Sequence, residues 1–471
     1  MTILSIAIGI GVPALNGWLA LRVLEGAHPV LARWERWAIG AILGATLTVF
    51  IQFLLLWSGI IGVNTAGLLM SSGGTTLVLG IVWLWQCKGL KGISIALPAS
   101  APLPVWGRWL AGIAAVWIVL KLCTGGFLLI MSPPYYDDVI NNWNFRAKTL
   151  LHRNALTLTL DRGYGVVDTN TVTSYPPSIP LIKANMTILM GRWSEGLVNL
   201  PHIVWYALAL VILFWQLRWR LSLGWGLVGT YLLSSIPLYL LHGSVAYADL
   251  FLSIHVLIAV SLCYRALIAA DGAHARSLLL IAALSAGLTA FTKNEGTVLL
   301  FPLLAACIAV VTIWRMRNDP RAIKTLLLCA ALCAALVLPW IAYKWMNGLG
   351  FGNAKDVSGL DIGWQKGVVG ALLRNSFLTG GWLLFFPCLI ALLVVHWRNA
   401  LRTPLVLITG FLLCTYGLQA MIYLFTSLSV EAIYQTGYGR GVVQLLPTAC
   451  LLATVLLHEA KRTLVDRHTN A

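Results

Sequence analysis

Five short polar segments of this chain carry side chains that could do chemistry: Tyr136-Asp137-Asp138, Ser174-Tyr175-Pro176-Pro177, Tyr247-Ala248-Asp249, Lys293-Asn294-Glu295-Gly296 and Tyr438-Gly439-Arg440. Asp137, Asp138, Asp249 and Glu295 are suited to proton transfer, because an exposed carboxylate is ionised at neutral pH and can accept the proton of a hydroxyl. Arg440 and Lys293 are suited to anion binding, and arginine matches phosphate oxygens with two parallel hydrogen bonds. Each residue also has a plainer account. Asp137 and Asp138 suit the positive end of a helix beginning at Pro133-Pro134, and Asp249 suits a helix N-cap. Lys293 and Glu295 can pair with each other, and Arg440 can snorkel at a membrane surface.

The elements that must position these segments are apolar. Of the 471 residues, 59% are hydrophobic and only 10% charged, with a mean hydropathy of +0.84. Such a chain could not present a soluble surface, whereas a bilayer accommodates it. Its apolar residues run unbroken for roughly 17 to 25 at a time, without the alternation of a membrane β-barrel. The pattern predicts an all-α integral membrane protein with about 13 transmembrane helices, near 1–23, 37–60, 65–86, 107–131, 200–217, 224–242, 250–268, 277–291, 297–314, 325–346, 379–397, 404–427 and 441–458. The first run lacks a basic leader and a cleavage site, so it reads as a retained helix.

Arginine and lysine in short loops stay cytoplasmic, which sets an expected orientation. One set of connections holds Arg22, Arg33, Arg36, Lys88, Lys91, Arg108, Arg218, Arg220, Arg265, Arg276, Arg315, Arg317, Arg321, Lys324, Arg398, Arg402, Lys461, Arg462 and Arg467; the short loops on the other side hold only Lys293 and Arg440. The N-terminus is expected outside and the C-terminus in the cytoplasm. All five polar segments then face outward, toward the periplasm if the membrane is the inner membrane of a bacterium. The net charge of +16 is accounted for by anionic lipid headgroups and requires no nucleic acid. No Walker-type glycine loop and no zinc spacing occurs, and the nine cysteines, Cys87 among them, lie in or at the ends of apolar runs.

The longest outer loop spans 132–199. Val139, Trp143 and Ala147 make one apolar helical face, while Asp138 and Asn142 stand four residues apart on a polar one. The pattern predicts an amphipathic helix at the membrane interface. Adjacent helical residues point about 100° apart, so Asp137 and Asp138 cannot both serve one reacting atom unless the backbone is irregular there. Three prolines in Pro176–Pro180 impose a stiff path into Leu181–Met190, which is too short to span and predicts a second interfacial helix.

In this order the segments resemble the GT-C superfamily of polytopic glycosyltransferases, notably the members related to protein O-mannosyltransferases and lipid A aminoarabinose transferases. Asp138 followed by Trp143 and Arg146-Ala147-Lys148, then Tyr175-Pro176-Pro177, Tyr247-Ala248-Asp249-Leu250 and Thr292-Lys293-Asn294-Glu295-Gly296 carry the likeness, over about 105–450. The resemblance implies a GT-C fold with interfacial helices in the first large outer loop, a 1–104 extension of three helices, a 105–460 catalytic core and a 461–471 tail. It implies a polyprenyl-phosphate sugar donor, a glycan, lipid or protein acceptor, contact with membrane lipids, inversion at the anomeric carbon, and no cofactor or catalytic metal. Asp138 is then the expected base, with Asp137 and Asp249 as the other acidic candidates. Arg440, Lys293, Glu295, Arg146, Lys148, Asn142 and Tyr175 are the expected substrate and phosphate contacts. Ser174 stands where relatives often carry an acid, and no large C-terminal outer domain follows.

Two other classes compete. A lipid-linked glycan flippase or transporter would place ionisable residues at mid-membrane, for which only Lys121 and Lys344 qualify. An O-antigen-type polymerase or ligase would use basic residues and a histidine in a large outer loop, for which His152 and Arg153 qualify.

Overall fold

The computed structural model describes residues 2–86, 103–134, 136–161, 167–169, 172–351, 362–379 and 381–469. Cys87, Lys88 and Lys91 lie outside the described residues, as does part of the polar stretch 161–174. Apart from one antiparallel two-stranded ribbon, Thr159–Asp161 with Val167–Thr169, the regular structure described is helical.

Among the described residues, ten helices are long and apolar enough to cross a membrane: Thr2–Glu25, Arg33–Trp57, Thr65–Gln86, Val105–Met131, Leu197–Arg218, Ala248–Leu267, Gly272–Thr289, Gly296–Arg315, Ala322–Met346 and Leu405–Phe425. The pair Leu223–Ser234 and Pro237–Ser244 makes an eleventh if counted as one span, though it bends by 73°. Pro237 cannot donate a backbone hydrogen bond and biases Ile236 toward its extended conformation, so the expected continuous 224–242 helix breaks there. Among the described residues, the expected 379–397 span is taken up by the 11-residue helix Phe385–Val395, with a separate short helix beginning at Trp397. The last run becomes a helix from Leu446 to Thr469, with 446–456 buried.

Lipid-facing surface is plain on Val105–Met131, which buries only Gly125 and Leu129 and exposes Trp106, Trp109, Ile113, Val116 and Leu120. Water would not tolerate so large an apolar face, whereas hydrocarbon does. The chain is an all-α integral membrane protein.

At the centre stands Ala248–Leu267, buried along its length from Ala248 to Ala266. Around it the helices approach closely through small residues, as membrane helices do. A Cβ on Gly17 would lie 1.8 Å from the Gly40 carbonyl oxygen, and one on Gly44 would lie 1.9 Å from that of Pro13. Thr46 on the second helix meets the His255 ring at 2.9 Å, tying the N-terminal hairpin to the central helix.

One end of this bundle is closed by buried ion pairs. Glu25 binds Arg22 at 3.2 Å and Arg36 at 2.8 Å, while Glu35 binds Arg265 and accepts from Gln216 at 3.0 Å. Arg22, Arg36 and Arg265, expected as loop charges facing headgroups, are instead buried with partners, because each carboxylate nearby needs a cation once removed from water. The other end carries the five polar segments.

Gly44→Val forces a side chain into the backbone of the first helix, an overpacking worth about 1–3 kcal/mol or more. The thermal midpoint of the detergent-purified protein is expected to fall, and an unchanged midpoint would contradict this close contact.

Candidate active site

Asp249 occupies the first turn of the central helix, where the helix dipole favours a carboxylate. Its side chain is fully buried, and three donors surround it. Lys293 Nζ binds Oδ1 at 2.7 Å, Gln444 Nε2 donates to the same oxygen at 2.8 Å, and Arg440 Nε binds Oδ2 at 3.0 Å. Arg440 then reaches outward, with one terminal nitrogen 2.6 Å from Asp138 Oδ2. Its guanidinium lies over the Tyr247 ring, 5.0 Å from the centroid. Lys293 in turn contacts Glu295 Oε1 at 2.9 Å. Two cations and three carboxylates thus form one continuous chain: Asp138, Arg440, Asp249, Lys293, Glu295.

The local backbone explains why these residues meet. Asp138 is followed by a π-helical turn, Val139–Asn144, and Glu295 by another, Gly296–Leu300. Such wide turns alter the facing of side chains and recur at functional sites. The two aspartates precede the first of these turns on ordinary helical backbone, and the 100° step between neighbours separates them: Asp138 points to Arg440, while Asp137 is exposed and accepts from Asn141. The second depends on Gly296, where a Cβ would lie 2.2 Å from the Thr289 carbonyl oxygen. Val139, Trp143 and Ala147 are all buried, as the expected apolar face requires.

Tyr175 enters from the outer loop, its ring edge-on to Trp143 at 6.0 Å. Burial, reinforced by Glu295, raises its phenol well above the usual range, so it stays a hydrogen-bond donor. Behind it, Arg146 donates to the carbonyls of Tyr175 and Pro176 at 2.8 and 3.5 Å. Lys344 donates to the Ser174 carbonyl at 2.5 Å and to Asn294 Oδ1 at 3.2 Å. The two side chains therefore hold the Ser-Tyr-Pro-Pro backbone in place. Burial lowers Arg146 to about 10, with Tyr343 opposing that shift.

Several expected roles do not fit the geometry. Asp249, one of the acidic candidates, is fully buried and its oxygens already serve three internal donors, so it shapes the site from within and does not meet substrate. Arg146 is buried with backbone partners and does not face the cluster. Lys148 pairs with Glu195 and lies over the Trp193 ring at 4.9 Å, away from Arg440. Asn142 is buried, and its Oδ1 has no partner among the described residues. The second loop helix, Ser178–Met190, is buried from Ser178 to Met186, packing on the first two helices. Ser5 Oγ donates to the Leu189 carbonyl at 2.8 Å, and Asn185 and Gln52 pair reciprocally. Lys121 donates to the Ser234 carbonyl at 2.8 Å, so neither it nor Lys344 is a free mid-membrane charge.

Two participants, Gln444 and Lys183, were not anticipated, and Asn294 was expected only as a member of its motif. Gln444 completes the Asp249 shell, and its amide Oε1 has no partner among the described residues. Asn294 bridges Lys344 and, at 3.5 Å, Ser174 Oγ. Lys183, on the second loop helix, is buried beneath the loop and donates to Asn144 and Asn199, each at 2.6 Å. A lone glutamine and a lone lysine in apolar stretches were the available signal.

The electrostatics of the cluster are cooperative. Burial and Arg440 both pull Lys293 down, yet Asp249 and Glu295 outweigh them and its pKa ends above the usual value. Arg440 follows the same pattern: burial opposes its charge, and Asp249 and Asp138 more than restore it. Both remain cations at any physiological pH. Glu295 Oε2 is enclosed and has no hydrogen-bond partner among the described residues. An apolar cavity of about 450 Å³ lies elsewhere, between the first, second and third spans and residues such as Ile182, Asn185 and Trp205. It contains none of the cluster residues. Among the described residues no group of three or more His, Cys, Asp or Glu side chains is placed to hold a metal.

No protein-family model matches the chain, and no curated protein does. Among solved structures it is similar to the crystal structure of ArnT from Cupriavidus metallidurans in the apo state, at 14% identity and a TM-score of 0.49, over 74% of this chain and 60% of that one. It is also similar to ArnT from the same organism bound to undecaprenyl phosphate, at 15% identity and a TM-score of 0.47, over 73% and 60%. The chain thus spans less than two thirds of the length of the structures it matches.

Lys183 provides a pH test. Burial lowers it to about 7, against about 10.4 in an unfolded chain. Between these values the unfolded state binds more protons, so stability rises with pH from about 7 toward 10. Lys183→Met is expected to flatten that rise in thermal midpoint; an equal slope in both proteins would contradict the buried, weakly basic amine.

Proposed function

We propose that this chain is a glycosyltransferase of GT-C type that moves a sugar from a polyprenyl-phosphate donor to an acceptor hydroxyl at the outer face of the membrane. The observation that carries this reading is the arginine bridge: Arg440 joins a partly exposed carboxylate, Asp138, to a fully buried one, Asp249. One carboxylate is accessible to substrate while the other fixes the cations. The motif likeness to GT-C enzymes supports the same reading, with the first three spans as an extension to the catalytic core.

Asp138 is the base. Its carboxylate takes the proton of the acceptor hydroxyl as that oxygen attacks the anomeric carbon from the face opposite the phosphate. The carbon–oxygen bond to the phosphate breaks, and its electron pair leaves with the polyprenyl phosphate. A single displacement of this kind inverts the anomeric centre. Arg440 and Lys293 stabilise the charge gathering on the departing phosphate, and they act strongly because they are preorganised in a site of low water content. For Arg440 this requires exchanging its Asp138 contact for phosphate oxygen, which would release Asp138 as the base. The unpartnered Glu295 Oε2 accepts from a sugar hydroxyl, and the Tyr175 phenol donates to substrate oxygen. Asp249 and Gln444 position the cations, and Arg146 and Lys344 position Tyr175.

The test is turnover of a radiolabelled polyprenyl-phosphate sugar panel in membranes at matched expression. Asp138→Asn is expected to lower transfer by about 10²–10⁴-fold, the usual worth of a positioned base. Lys148→Gln, outside the cluster, is expected to leave transfer within a few-fold. Transfer that survives Asp138→Asn would move the base elsewhere, and a panel with no consumed donor would sink the glycosyltransferase reading.

A further inference from the structure

At the opposite end of the spans from Asp138 and Arg440 lies a second polar cleft, of about 730 Å³, lined by Leu267, Gly272, Trp314, Arg315, Arg317 and Arg321, with Asp319 and Thr403. Its depth follows from the helices that frame it. Leu267 ends one span and Gly272 begins the next; Arg315 ends the span that starts at Gly296, and Ala322 begins another. Since Gly296 adjoins Glu295 in the candidate active site, the 20 residues of Gly296–Arg315 separate the two sites by about 30 Å at 1.5 Å per residue. The cleft therefore sits at the headgroup level of the other membrane face.

The cleft is built to receive an anion. The guanidinium groups of Arg317 and Arg321 are exposed and have no hydrogen-bond or ion-pair partner among the described residues. Arg315 is anchored to the wall by donation to the Ala269 carbonyl at 2.6 Å. Asp319, the one acid among the lining residues, offsets only part of this charge, and its Oδ1 is held by the Arg321 backbone amide at 2.8 Å, capping the turn into the next helix. Trp314 is half-exposed beside them, an aromatic side chain at the depth where tryptophan favours the interface. Three arginines against one committed carboxylate leave a positive concavity of a size typical of ligand sites.

We infer that this cleft is a binding site for the phosphodiester headgroup of an anionic membrane phospholipid. A phosphate at headgroup depth matches the guanidinium forks, and basic pockets between spans take such headgroups. Scattered interfacial arginines would serve as general anchors; the cleft differs in bringing two unpartnered guanidinium groups and a third, anchored one around a single concavity.

The experiment is native mass spectrometry of the detergent-purified full-length protein titrated with phosphatidylglycerol or phosphatidylcholine. Preferential retention of phosphatidylglycerol is expected, and Arg317→Gln/Arg321→Gln is expected to weaken it by about tenfold or more. Lys461→Gln/Arg462→Gln, which removes equal charge from the C-terminal helix, should retain the lipid; Arg317→Lys/Arg321→Lys, which keeps the charge but loses the fork, should retain it more tightly than the glutamine pair and guards against a folding defect. Equal losses in the two glutamine pairs, or equal retention of both lipids, would overturn the site. Displacement of the lipid by millimolar inorganic phosphate would overturn the assignment to a lipid headgroup.

Discussion

A carboxylate removed from water must be neutralised inside the protein, and the arrangement around Asp249 follows from that constraint. Desolvation of an unpaired carboxylate costs several kcal/mol, so the first turn of the central helix demands donors from elsewhere in the chain. Lys293 comes from the loop after Gly272–Thr289, and Arg440 and Gln444 come from the segment that leads into the last helix. Elements some 190 residues apart in sequence are drawn to one point. Once Arg440 is committed to Asp249 through Nε, its terminal nitrogens project outward, and Asp138 meets one of them. The outer loop is positioned by a similar logic at one remove, because Arg146 and Lys344 donate to the carbonyls of Ser174, Tyr175 and Pro176.

The two ends of the bundle use charge differently. At the end carrying the Glu25 and Glu35 clusters, each carboxylate is matched by arginine and enclosed, leaving little to react. At the other, the chain of charges runs from the buried Asp249 to the accessible Asp138 and the half-open Glu295. Both of these outer acids are followed by a π-helical turn, and the ordinary 100° step between helical neighbours turns Asp138 to the site while Asp137 faces solvent.

Much of this was legible in the sequence because periodicity and charge report topology. The apolar runs marked ten of the spans, and the expected convergence of five polar segments on one end matches their placement. Helix breaks were harder: Pro237 sits inside a run whose hydropathy alone reads as continuous, and the 379–397 run is apolar throughout yet holds only a short helix. Burial of individual charges was not legible either. Arg146 and Lys148 share one motif, but packing turns the first toward the Tyr-Pro backbone and the second toward Glu195. Gln444 gave no signal of its own, being one amide in an apolar run, and Asp249 looks in sequence like any helix cap.

The measurement that bears most directly on the arginine bridge is a double-mutant cycle on unfolding free energy, using Asp249→Asn, Arg440→Gln and the combined variant in one detergent. Each single change leaves a buried charge short of one partner, with Lys293, Glu295 or Asp138 still beside it, and is expected to cost up to about 3–5 kcal/mol. The combined variant should be less damaged than the sum, with a coupling of about 1–3 kcal/mol, as for groups within one network. Strict additivity would mean that Asp249 and Arg440 do not hold each other, and the account of the site built on that pair would fail.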